Sequence, residues 1–247
     1  MNNMDCFDVK SSKNQAAQRP CERGSAIVLI LVAIALFGLL SFTMAKGTRT
    51  GAQNISKEKA SLLATETLEY GRAMKNAIHD LLINGCAETE ISFETGGSYI
   101  NPGAPADKSC HVFEPEGGGL RLKTIPEDIQ TLNTLYRNPF FVGKTAVLNV
   151  GTTAGELYLW MRTRSKDVCM KYNTLAGVSN LTSDAPAEAG FDSAPLFVGT
   201  YSAGATLGDD NDGANFSGKM TGCHKDAAET DTDGSPYYDF YYVLIAR

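Results

Sequence analysis

Ser25-AIVLILVAIALFGLLSFTM-Ala45 runs for 21 residues without one charged side chain. As a helix rising about 1.5 Å per residue it spans roughly 30 Å, the thickness of a bilayer's hydrocarbon core. A cleaved secretory signal has a shorter apolar region, about 7–15 residues, followed by a small-residue cleavage site. Here the run ends in Met44-Ala45-Lys46, which offers no such site. The run is also apolar on every side, whereas a helix lying on a soluble domain keeps a polar face. It therefore reads as a single transmembrane helix. Lys10, Lys13, Arg19 and Arg23 precede it, and Lys46 and Arg49 follow. The excess of cations on the leading side places the N-terminus in the cytoplasm and the remainder of the chain outside.

Downstream, residues 52–84 change pattern. Ile55, Leu62, Leu63, Tyr70, Met74, Ile78, Leu81 and Leu82 recur at steps near three and four, with Glu58, Glu66, Glu69, Arg72 and Lys75 on other faces. Asn84-Gly85 is a helix stop. Beyond Cys86, short runs bounded by glycine and proline suggest strands at 90–94, 111–113, 119–124, 140–150 and 156–162. A helix is expected at 166–175, and 238–246 reads as a buried strand. The expected fold is α+β: a long N-terminal helix, half transmembrane and half amphipathic, packed on a small antiparallel sheet domain. Three regions follow, a leader at 1–24, a spine helix at 25–85 and an outer globular domain at 86–247.

The chain of 247 residues carries a net charge of −6, so its composition points to no nucleic-acid partner. Of six cysteines, Cys6 and Cys21 precede the hydrophobic run, and Cys86, Cys110, Cys169 and Cys223 follow it. Outside the cytoplasm the latter four can oxidise. Four cysteines allow three connectivities; Cys86–Cys110 with Cys169–Cys223 is favoured because each pair brackets one local block. His111 and His224 each follow a cysteine, but their spacing fits no zinc pattern. No nucleophile elbow, metalloprotease, phosphate-loop or dinucleotide fingerprint is present, so no enzymatic activity is expected. Asp209, Asp210 and Asp212, and again Asp231 and Asp233, sit in glycine-containing loops. Oxygen-rich loops of this kind suit calcium, although neither follows the EF-hand spacing. The alternative is an ordinary solvated turn.

The hydrophobic run begins directly after Glu22-Arg23-Gly24. At this junction the chain resembles the type IV prepilin and type II secretion pseudopilin family. The resemblance implies cleavage between Gly24 and Ser25 by a membrane aspartyl prepilin peptidase, with the helix retained and its new N-terminus methylated. A Cβ-free residue at the junction lets a protease approach the backbone where the helix begins. The resemblance also implies single-pass insertion in the inner membrane, an outer domain in the periplasm or a surface filament, and other pilin or pseudopilin subunits as partners. Pseudopilins of the secretion type often bind calcium in a C-terminal loop, which raises Asp209, Asp210 and Asp212 as ligands; no other cofactor is implied. The family usually has a glutamate at the fifth residue after the cut, and this chain has Leu29. That departure points to a minor or tip subunit. The stretches NGCAETEISFE (84–94), YINPGAPADKSCHVFEPEGGGL (99–120) and YYVLIAR (241–247) are similar to pilin-like proteins of alphaproteobacterial type. The competing expectation is a signal-anchored periplasmic binding or adhesion domain that does not polymerise.

Overall fold

A computed structural model describes residues 30–38, 56–181, 183–188, 196–202, 204–208 and 213–247. The chain divides into two units, Met1–Arg49 and Thr50–Arg247. In the first, residues 30–38 form a helix, α1, with exposed side chains. The rest of the hydrophobic run lies outside the described residues, as do Gly24, Ser25 and Leu29. Among the described residues no helix is long and apolar enough to cross a membrane.

The second unit is organised on α2, Lys57–Ile83. Ser56 caps it by accepting the N–H of Lys59 at 3.2 Å, and Glu58 lies favourably in the first turn. It ends at Asn84, followed by Gly85 with φ of 104°. Its buried stripe is Ala60, Leu63, Ala64, Leu68, Gly71, Met74, Ala77, Ile78 and Leu81. Of the apolar residues expected there, Leu63, Met74, Ile78 and Leu81 are buried, Tyr70 and Leu82 partly so, and Leu62 is exposed, while Ile55 lies outside the described residues. A second helix on the same layer, α3, spans Lys166–Ala176 between a Ser165 cap and a left-handed Gly177.

Five strands form the central sheet. They are β1 (Phe140–Val142), β3 (Leu157–Thr163), β4 (Ala187–Glu188), β6 (Thr221–Thr230) and β7 (Pro236–Ile245), in the order β1-β3-β7-β6-β4. A separate parallel pair joins β2 (Ala146–Val147) to β5 (Thr206–Leu207). The α+β class holds, with a correction: the sheet is mixed, because β4 runs parallel to β6 while the other neighbours are antiparallel. Two residues of edge strand carry too little side-chain alternation to announce a direction.

Both faces of the sheet are covered. Leu157, Leu159, Met161, Phe240 and Leu244 join the α2 stripe and α3 in one hydrophobic cluster. Tyr158, Trp160, Tyr241 and Val243 join Val142, Val147, Val150, Leu207 and Phe216 in another. At Gly71 the helix backbone lies directly on the ring of Tyr242; a Cβ there would come within 2.4 Å of it.

Two disulfides close this unit, Cys86–Cys110 and Cys169–Cys223, the favoured pairing. The first closes a loop after α2, and the second ties α3 to β6. Loops of these lengths stabilise by about 3–4 kcal/mol each in the chain-entropy account.

Several local expectations change. Residues 90–94, 111–113 and 119–124 are not strands; Ser92 makes a single parallel bridge to His111. The Cys86–Cys110 loop satisfies its backbone through successive turns and through side chains instead, with Asn101 Nδ2 donating to the carbonyls of Thr89 and Ile91, both at 2.9 Å. The stretch 140–150 divides at Gly143, where a Cβ would come within 2.8 Å of Phe197. β6 was not expected: its polar sequence TGCHKDAAET gains its place by pairing with β7.

Candidate functional site

The strand register aligns three polar residues on the sheet face opposite α2. Arg162 of β3 lies opposite Asp239 of β7, and Asp239 lies opposite His224 of β6. All three are buried, His224 and Asp239 completely. Strand alternation explains the placement: Tyr158, Trp160 and Arg162 share one face of β3 while Leu157, Leu159 and Met161 take the other.

Arg162 organises the group. Its Nε donates to Asp239 Oδ1 and its Nη2 to Asp239 Oδ2, each at 2.8 Å. Nη1 donates to Glu229 and Nη2 also to Asp226. Those two carboxylates come from residues 226–229, where the β6–β7 register shifts. Asp226 Oδ1 accepts the N–H groups of Ala228 and Glu229 at 2.8 and 3.0 Å, which folds that bulge over the guanidinium. Aromatic rings surround the cation. Its carbon lies 4.6 Å from the centroid of Tyr136, 4.9 Å from Trp160 and 4.3 Å from Tyr237.

Burial acts on these groups in opposing directions. It pulls the Arg162 guanidinium down, but Asp239, Glu229 and Asp226 together outweigh it and hold the cation above its ordinary value. Burial pushes the Asp239 carboxyl up against the pull of Arg162. It lowers His224 in spite of neighbouring Asp239 and Asp226. The arrangement is a charge lock: one guanidinium joins β3, β7 and the bulge of β6, with a planar fork matched to carboxylate geometry.

A second arginine closes the adjoining turn. Arg164 Nε lies 3.3 Å from Asp231 Oδ2, and its Nη2 pairs with Asp233. Asp231 also accepts the N–H of Leu132 at 2.7 Å, of Asn133 at 3.2 Å and of Thr232 at 2.8 Å, and the hydroxyl of Tyr237 at 3.2 Å. Burial would raise this carboxyl, but those backbone donors hold it below its usual value. The second acidic loop therefore spends its oxygens on Arg164 and on backbone amides. Asp209, Asp210 and Asp212, the calcium candidates, lie outside the described residues.

The remaining residues singled out in the sequence are dispersed. His111 is buried beside Cys110, with Nε2 3.5 Å from Glu94 Oε2. His79 is exposed on α2. Among the described residues no three His, Cys, Asp or Glu side chains converge as a metal site. The Arg162 lock was missed, although it left a signal. A lone arginine ends the apolar run LYLWMR, and a lone aspartate interrupts YYDFYYVLI; charges at inward positions of two buried strands need each other. No protein-family model, curated protein or solved structure matches this chain.

Proposed function

We propose that this chain is a structural subunit of a type IV filament or secretion-type assembly, a minor pilin or pseudopilin-like protein rather than an enzyme. The observation that carries this reading is α1. Ile30, Leu31, Val32, Ile34, Leu36 and Phe37 each leave between 48% and 75% of their surface open. A helix so apolar around its circumference needs lipid or other helices as its surroundings. A membrane stores such subunits, and a filament core replaces lipid with neighbouring helices.

The second unit suits a rigid cargo on that helix. α2 buries one stripe against the sheet, and the disulfides and the Arg162 lock hold the outer domain together. Cleavage falls between Gly24 and Ser25 in this reading. Leu29 in place of the usual glutamate supports a minor or tip position in this reading.

The deciding experiment is mass spectrometry of the mature N-terminus from cells with active prepilin peptidase. A chain beginning at N-methylated Ser25 is the expected result. Retention of residues 1–24 would overturn the pilin reading and favour a signal-anchored, non-polymerising domain.

A further inference from the structure

Glu156 immediately precedes β3, and its side chain is completely buried. Neither of its carboxyl oxygens has a hydrogen-bond partner. An ionised carboxylate at this position forfeits its hydration and receives no donor or cation in return, so burial favours the neutral acid.

Backbone segments cross around this residue. Its own N–H donates to the carbonyl of Thr145 at 3.1 Å. The N–H of Ser202 donates to Gly143 at 3.0 Å, and that of Ala146 to Ala205 at 3.1 Å. The approach is close enough to require glycine: a Cβ on Gly155 would lie 2.7 Å from the carbonyl oxygens of both Lys144 and Ser202. The crossing continues onto the sheet edge. Phe197 N–H donates to Phe141 carbonyl at 2.8 Å, and Leu196 bridges Val142. Residues 196–197 thereby cover the outer edge of β1.

The titratable groups on the described elements of this crossing have other engagements. The hydroxyl of Tyr158 pairs with that of Thr145 at 3.0 Å. Tyr201 reaches Glu88 at 3.5 Å, and the Arg247 guanidinium lies 3.9 Å over its ring. Lys144 stands in the link between β1 and β2, and neither it nor these others bonds the Glu156 carboxyl. Burial alone pushes that carboxyl up to about 7.

We propose that Glu156 is a protonation-controlled latch: its neutral form seats the crossing of residues 143–146 with Ser202 and Ala205, and its ionised form opens that crossing and loosens the cover on β1. The sign follows from a folded-state value raised above the ordinary 4.5. Closure is fully favoured below that ordinary value and is lost as pH rises through about 7.

Hydrogen exchange on the detergent-solubilised full chain, at about pH 5.5 and about pH 8.5 and corrected for intrinsic exchange, reads the latch directly. The amides of Ala146, Glu156, Phe197 and Ser202 are expected to lose protection by about tenfold or more at the higher pH, while α3 does not change. In Glu156→Gln that pH response disappears. Equal protection at both pH values in the unmodified chain overturns the proposal, as does an unchanged response in the variant. Should the variant fail to fold, carbon-13 titration of the Glu156 carboxyl in the unmodified chain decides. An inflection near 7 supports the latch, and one near the ordinary glutamate value sinks it.

Discussion

On the sheet face under α2, Leu157, Leu159, Met161 and Phe240 pack into a hydrophobic cluster with the helix stripe. On the opposite face of the same strands, Arg162, Asp239 and His224 stand in one row with their polar groups buried. The strands are shared, so backbone pairing is common to both faces and only the side-chain physics differs. Apolar packing is a sum of many small contacts and is lost gradually. A buried charge is stable only while its partner is present, so the second face fails abruptly when one member is removed.

The largest expected effect breaks the charged row. Arg162→Met leaves Asp239 buried without its cation and should destabilise by about 3–5 kcal/mol in chemical denaturation. Arg162→Met combined with Asp239→Leu should recover most of that loss, since the completely buried carboxylate is gone, while Asp226 keeps the N–H groups of Ala228 and Glu229 as donors. A single variant costing under about 1 kcal/mol, or a double no better than the single, would erase the difference between the faces.

On the apolar face, Leu159→Ala should cost about 3 kcal/mol by the same measurement, the combined effect of lost transfer energy and a cavity. No second-site charge change is expected to rescue it. The smallest effect belongs to the adjoining turn. Asp231→Asn should cost about 1 kcal/mol near neutral pH. Asp231 is held below its ordinary 3.8, so its contribution is present above that value and is lost as pH falls through the folded-state one. The gap between variant and parent therefore closes in acid; a gap independent of pH would remove the ionised carboxylate from the account.

The apolar face was legible in sequence because its signals are local. The stripe from Leu63 to Leu81 repeats a helical spacing, a short helix was expected at 166–175, and unbroken apolar runs mark β3 and β7. Cysteine positions carried the disulfide pairing for a related reason, since each bridge closes a local block. The charged row is different. Arg162, Asp226, Glu229 and Asp239 come from three strands, and their meeting depends on β6, whose polar sequence gave no strand signal. The loop from Cys86 to Leu120 misled for the converse reason: short apolar runs suggested strands, but Asn101 and successive turns satisfy the backbone there.

Gly71 and Tyr242 have a mechanical consequence. With the helix backbone seated on a ring, α2 is keyed in rotation as well as held down, and a bulkier residue would lift it off its seat. A force on α2 therefore reaches β7, a middle strand of the sheet that is held by hydrogen-bonded ladders on both its sides.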